Sequence, residues 1–482
     1  MNSKFERDVD ALVAAAMETF AVPGIAVAIV KEGKVVHSKG YGVREIGKPE
    51  PVTPQTLFAI ASCTKAFTST ATAMLVDDGK MDWEDLVRKH IPFFRLSDPN
   101  SDHLVTIADL LTHRTGLPRN DGLWYGSKVP REEIVRRACR LETTHTIRSF
   151  YEYNNLMYTA AGYALGLASG LGYEGFVRKR IFGPLGMKNA VMSTAEALAS
   201  PNHATPHACD LNLKPAVVPW RNIDNVVPTG GIVACVEDLA KWVKFQLEGG
   251  VWKGKRLVSE KNLEVARTPA IISTLSDEAG LPTISAYAMG WDVSDQMGVK
   301  VLAHSGGIDG FASQTVLMPR QNAGFVILSN GMRPAAAALM RGLVVYLGGF
   351  KPVKDPLQRT IEDETKALDE RKKKVHDALA KRVEGTKPSR PIEAFAGKYS
   401  DAAYGDLEVA ACGGELTLAF NGNRYRCEHF HYDVFRIRPP WPMPTEDFTS
   451  ISFEGGLDGT VATAHWIDDD WGIDRKFSRA GS

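Results

Sequence analysis

The sequence predicts a mixed α/β (α+β) chain. One antiparallel sheet is built from both ends of residues 1–354 around a helical subdomain, and a small all-β barrel follows at 392–482. Three observations carry this. A strand–turn–strand pattern opens the chain. Strand-like runs return at 299–303, 312–318 and 324–329 after a long helical stretch. From 392 onward the pattern switches to short strands broken by glycine turns.

Each element has its own reason. Val9, Leu12, Val13, Ala16 and Phe20 recur at helical spacing, so 9–21 reads as an amphipathic helix. After Pro23-Gly24, the apolar run Ile25–Val30, the turn residues Lys31–Lys34 and Val35-Val36-His37 make a hairpin. Helical patterns dominate from 62 to about 190. Residues 355–391 differ in kind. Ile361–Lys374 is highly charged, with Glu362–Lys366, Asp369–Lys373 and Glu370–Lys374 as acid-before-base pairs four apart, which predicts an exposed helix. Ile361, Leu368, Val375 and Leu379 mark a narrow apolar stripe able to dock on a domain, and Thr386–Pro391 reads as a linker. From 392 the short strands, including Leu407–Val409, Leu416–Phe420, Val434–Ile437 and Thr449–Phe453, fit a small barrel rather than a sandwich.

At 482 residues the chain exceeds one ordinary core. Its 57 basic and 57 acidic residues cancel, which gives no electrostatic case for nucleic acid or an anionic membrane. No apolar run of about 18 residues is present to span a membrane. The six cysteines are scattered, and no apolar leader is visible near the start, so the expectation is free thiols and a cytoplasmic protein.

The chemistry starts at Ser62-Cys63-Thr64-Lys65. The run that follows, Ala66–Val76, reads as a buried helix stopped by Asp77-Asp78-Gly79. A serine at the start of that helix has the lysine on its own face, beside a helix end with unpaired N–H groups. Two further segments join it: Tyr153 with Asn155 two residues on, and His304-Ser305-Gly306-Gly307 on a strand.

Ser-x-x-Lys, Tyr-x-Asn and His-x-Gly in this order resemble the serine β-lactamase and penicillin-binding-protein superfamily. The class C-like branch is most similar, with its D-aminopeptidases, family VIII esterases and penicillin-binding-type thioesterases. Leu110–Pro118 resembles that branch's LLTHTSGLP, Phe182–Met187 its PLGM segment, and Thr229–Ala240 its GGL-x-ED-LA segment. The likeness covers roughly residues 10–350, and the tail from 392 resembles the lipocalin-like barrel of some members. The resemblance implies a β-lactamase/transpeptidase-like fold and the following roles. Ser62 is the nucleophile that forms an acyl-enzyme. Lys65 or Tyr153 takes its proton, and both remain open. Asn155 hydrogen-bonds Lys65 and substrate. Backbone N–H groups of Ser62 and Gly307 form the oxyanion hole. His304 replaces the lysine of Lys-Thr-Gly, which weakens the fixed charge that attracts a carboxylate and argues against classical β-lactams. Ser305, Gly306 and Asp309 fall to substrate binding; Asp309 would meet a substrate amine, or else serves only as a turn residue before Gly310. No acidic residue is assignable to activating a deacylating water.

Cys63 reads as packed rather than reactive. His203, His207 and Cys209 have zinc-ligand types, but Pro206 spoils a helical pair and no second cluster joins them, so a loop near the site is favoured over metal. Ala303–Gly307 misses the first glycine of a nucleophile elbow. His429 and His431 read as barrel surface. No cofactor is implied. The expected partner is a small ester, amide or short peptide, with no nucleic acid or membrane, and a homo-oligomer is left open. The expected activity is serine hydrolysis of the esterase or D-amino-acid peptidase/amidase type. Alternatives are acyl transfer or peptide cyclisation, a β-lactamase, or a catalytically silent scaffold.

Overall fold

The computed structural model describes residues 3–209, 213–278, 281–438, 448–469 and 472–480. The first sheet has eight antiparallel strands. In spatial order they are Lys34–Gly42, Gly24–Lys31, Ala323–Ser329, Phe311–Met318, Val299–Ile308, Asp292–Gln296, Ile284–Tyr287 and Ile271–Leu275. The opening hairpin turns on Glu32 and Gly33, with φ of 50° and 71°. Positive φ at both central residues matches the twist of the flanking strands.

Neighbours on a strand alternate faces, and this sorts the core. In Ala323–Ser329 all seven residues are buried. Phe325 and Ile327 join a rear cluster with Val9, Val13 and Leu339, while Val326 and Leu328 join the front cluster. The helices Ser3–Phe20 and Ala335–Gly348 supply that rear layer. The front is covered by Val236–Leu247 and by the helical subdomain. A sheet buried on both faces needs near-continuous apolar strands at its centre, which is why the central strands were legible and the outer ones were not. Ile271–Leu275, Ile284–Tyr287 and Asp292–Gln296 were not expected. They lie toward the sheet edge, where polar residues interrupt the alternation.

The charged helix forms over Pro356–Leu379, capped by Asp355, whose side chain accepts from the Gln358 N–H. Its first half docks on the rear cluster, and its second half reaches the barrel, where Lys374 pairs with Asp469 at 2.7 Å. Leu357 and Ile361 pack on the rear cluster, and Arg333–Glu364 and Arg341–Asp363 pair at 2.6 and 2.7 Å. Leu379, at the end of the predicted stripe, is exposed. The C-terminal strands close an eight-stranded antiparallel barrel over Gly397–Arg479, filled by Tyr399, Phe420, Phe435, Trp466 and Phe477. His429 approaches the Tyr432 carbonyl at 2.9 Å, and His431 accepts from the Val383 N–H, against the segment that enters the barrel.

The barrel sits on residues 120–126. Tyr404 OH donates to Asn120 Oδ1 at 2.9 Å, and Asn421 Nδ2 donates to the Gly122 carbonyl at 2.8 Å. A Cβ at Gly122 would fall 2.5 Å from Ile473 Cδ1, so any larger residue there has to displace the Ile473 side chain. No helix among the described residues is long and apolar enough to cross a membrane.

Candidate active site

The chain reaches Ser62 through the two-residue strand Phe58–Ala59 and a tight 3₁₀ turn, Ala61–Thr64, that leads into the helix Lys65–Asp77. Ala61 has φ of 43°, a sparsely populated conformation for a non-glycine residue, immediately before Ser62. The helix ends at Asp77–Gly79, where the turn residues were read. Asn155 starts the helix Asn155–Ser169, whose first turn is capped by Asn154 accepting from the Met157 N–H.

These elements converge on the Ser62 hydroxyl. Lys65 Nζ lies 3.0 Å from Ser62 Oγ, and Tyr153 OH donates to the same oxygen at 2.8 Å. Lys65 Nζ also donates to Asn155 Oδ1 at 2.8 Å and to the Thr229 carbonyl at 2.9 Å. The Asn155 carboxamide is fixed from both ends. Its Oδ1 accepts from Thr229 Oγ1 at 2.8 Å, and its Nδ2 donates to Asp121 Oδ1 at 2.9 Å. Lys65 is fully buried. Burial holds its amine well below the usual lysine range, opposed chiefly by the Asp121 carboxylate. Burial drives the Tyr153 phenol the other way, far above its ordinary value.

His304 does not reach Ser62. The Ser305 carbonyl can only accept, so Nδ1–H of His304 donates to it at 2.6 Å, which leaves Nε2 to accept from Tyr287 OH at 2.9 Å. Burial and the nearby Lys65 push this imidazole down to about 3, so it carries no charge. Behind it, His113 accepts from the Asn154 N–H at Nδ1 and packs its ring against Tyr153 and Tyr287, 4.3 and 4.6 Å between centroids.

Ser62, Asn155, Gly307 and Asp309 line one cavity of about 350 Å³, together with Arg119 and Arg221. Gly306 lies against the turn; a Cβ there would fall 2.2 Å from the Ile60 carbonyl oxygen. Asp309 accepts from Tyr125 OH at 2.5 Å and from Arg221 Nε at 2.7 Å, so its charge is largely met within the protein. The side chain of Ser305 is not brought to Ser62: strand neighbours alternate, and it faces a separate cavity behind the sheet. Cys63 is packed, its Sγ donating to the His304 carbonyl at 3.1 Å. The zinc-type residues are otherwise occupied, His207 Nε2 accepting from the Ile46 N–H and Nδ1 donating to the Asn330 carbonyl. Ala208 lines the Ser62 cavity, so the segment does lie beside the site, but His207–Cys209 is a short strand paired with Pro215–Val217 and not the expected loop.

Sequence reasoning missed Asp121, Thr229, His113 and Tyr287. His113 and Thr229 sat inside the quoted family segments, but nothing in a linear motif shows which atoms they meet. Asp121 lies outside every motif, at the start of the 3₁₀ turn Asp121–Leu123, and Tyr287 lies on a strand that was not expected.

This fold and this arrangement place the chain in a family. Residues 9–348 match the beta-lactamase family, and the chain belongs to it. Residues 381–478 match a domain of unknown function, DUF3471. Among curated proteins, the chain is 28% identical over 423 residues to "Unguisins hydrolase ungD'" of Aspergillus campestris, covering 84% of this chain and 77% of that one. It is 30% identical over 335 residues to "Protein flp" of Staphylococcus aureus (strain COL), covering 67% of this chain and 63% of that one, so it spans less than two thirds of that relative. Among solved structures, an octameric penicillin-binding protein homologue from Pyrococcus abyssi matches over 99% of both chains with a TM-score of 0.66 at 22% identity. The D-amino acid amidase of Ochrobactrum anthropi SV3, solved with L-phenylalanine amide, matches 74% of this chain and 99% of its own, with a TM-score of 0.58 at 22% identity.

Proposed function

We propose that the protein is a serine hydrolase that cleaves a small ester or amide bond through an acyl-enzyme on Ser62. The observation that carries this is the hydrogen-bond arithmetic around Lys65. A neutral amine has two N–H donors and one lone pair. Asn155 Oδ1 and the Thr229 carbonyl can only accept from it, so they take both donors. The lone pair is then left facing the Ser62 hydroxyl 3.0 Å away. Burial favours that neutral form. Lys65 is therefore the base in this reading, and Tyr153 the proton donor and relay. This choice follows from burial, which lowers the amine and raises the phenol.

The reaction follows. Ser62 Oγ attacks the carbonyl as its proton passes to Lys65. The oxyanion is held by the N–H groups of Ser62 and Gly307. Tyr153 hands a proton to the leaving group, and water then releases the acyl group. A neutral His304 supplies no fixed cation, which supports an ester or a D-amino-acid amide or peptide over a classical β-lactam. The names of the fungal hydrolase and the D-amino acid amidase support the amide side of that class.

The test is a screen of purified protein and Ser62→Ala against p-nitrophenyl esters, D- and L-aminoacyl amides and nitrocefin. The reading requires ester or amide turnover that Ser62→Ala abolishes while circular dichroism is unchanged. Equal turnover by the variant sinks it.

A further inference from the structure

Behind the strand Val299–Ile308, on the face away from Ser62, lies a second cavity of about 480 Å³. That face of the sheet begins as ordinary core: Val299, Val301, Ala303 and Val316 belong to the rear apolar cluster. It then turns polar. Ser305 pairs across the ladder with Gln314, and Asp292 pairs with Ala303, and all of them line the cavity.

These polar groups do no visible structural work. Gln314 is 8% exposed, and its carboxamide has no hydrogen-bond partner among the described residues. The buried Ser273 hydroxyl, on the same wall, has none either. The Asp292 carboxyl has no hydrogen bond or ion pair among the described residues, and desolvation alone raises it to about 6. The cations on the far wall are paired away from Asp292, Lys354 with Glu362, Arg341 with Asp363 at 2.7 Å and Arg359 with Glu278 at 2.6 Å. A half-buried carboxylate beside a buried amide, neither with a partner among the described residues, is costly, and native structures retain such groups where something else satisfies them.

We propose that this cavity is a ligand site, separate from the Ser62 cavity, for a protonated organic amine with an apolar tail. The ammonium donates to Asp292 and to the Gln314 carboxamide oxygen. The tail lies against Met340, Val345, Phe350 and Val353, which form the apolar wall. The carboxylate selects a cation, and the wall selects a tail of several carbons. A metal ion fits less well, because no group of three or more His, Cys, Asp or Glu gathers among the described residues. The inference is independent of the proposed hydrolase activity.

The experiment is isothermal titration calorimetry of the full chain with hexylamine, which is protonated at neutral pH, and with 1-hexanol as the uncharged control. Hexylamine should bind with one-to-one stoichiometry, and 1-hexanol at least about tenfold more weakly, as expected for loss of one charge-assisted bond. Asp292→Asn, which keeps the shape and removes the charge, should weaken hexylamine by about the same factor. Asp309→Asn, in the other cavity, should leave it unchanged. Gln314→Leu gives a second reading of the same site if Asp292→Asn is poorly folded, and it should also weaken binding. Wild-type binding retained in both Asp292→Asn and Gln314→Leu, loss in Asp309→Asn instead, or no heat with wild type up to millimolar amine would each overturn the proposal.

Discussion

Asp121→Asn is the perturbation that reads the proposed chemistry most closely. Asp121 never touches Ser62. Its Oδ1 accepts from Asn155 Nδ2 at 2.9 Å and from Trp124 Nε1 at 2.7 Å, and its Oδ2 accepts from Arg119 Nε at 2.5 Å. The substitution keeps the shape but makes those bonds neutral and turns an NH₂ toward Arg119. Losing the ionic part of one or two such bonds costs about 1–3 kcal/mol, or roughly ten- to a hundredfold in kcat/KM if the Asn155 carboxamide then drifts from Lys65. The pH profile gives an independent sign. Lys65 must be neutral to act as base, so the rate falls on the acid side as the amine gains its proton. Asp121 is the main charge holding that amine up against burial. Removing it lowers the amine further, so the acid limb moves to lower pH while the plateau drops. The assay is p-nitrophenyl butyrate hydrolysis across about pH 5–9, with folding checked by circular dichroism. An acid limb that stays fixed or moves to higher pH refutes the assignment of Lys65 as the titrating base.

Three other outcomes follow. Lys65→Met should lower kcat/KM by about 10²–10⁴-fold without loss of thermal stability, since it removes a buried amine; near-wild-type turnover would shift the base to Tyr153. Gly122→Val should cost about 1–3 kcal/mol, because the new side chain meets Ile473, and should lower turnover through neighbouring Asp121; unchanged melting and activity would show that the barrel does not hold this segment. Asp292→Asn should change the pH dependence of stability. The native carboxyl, raised to about 6, holds a proton more readily than in the unfolded chain, so its stabilisation is full below about pH 4 and is lost as pH rises through about 6. The variant should match wild type in denaturant melts near pH 4 and exceed it by up to about 3 kcal/mol near pH 8; equal curves at both would contradict a desolvated carboxylate.

What the sequence reveals here is what local pattern controls. The hairpin at Gly24–Gly42, the central strands and the switch to a barrel all carry apolar periodicity or turn chemistry strong enough to read directly. The outer strands from Ile271 to Gln296 carry neither, because polar residues interrupt their alternation. At the site, Ser62, Lys65, Tyr153 and Asn155 were legible through spacing and resemblance, and the structure brings all four together. His304 was legible as a residue but not as a contact: its partner Tyr287 lies on one of those outer strands. Asp121 and Thr229, which orient Asn155, come from short helical segments far apart in sequence, Asp121–Leu123 and Val227–Gly230, and only tertiary packing joins them. The alternation that turns Gly306 toward Ser62 also turns Ser305 away, a consequence of strand register that a tripeptide motif does not display.

The central claim is a covalent acyl group on Ser62, and mass spectrometry tests it most directly. Protein turning over a p-nitrophenyl ester, quenched in acid and digested, should carry a single acyl group on the peptide containing Ser62. Ser62→Ala should carry none. Turnover with the acyl group on the neighbouring Cys63, or with no adduct in protein quenched during the burst phase, would contradict the account.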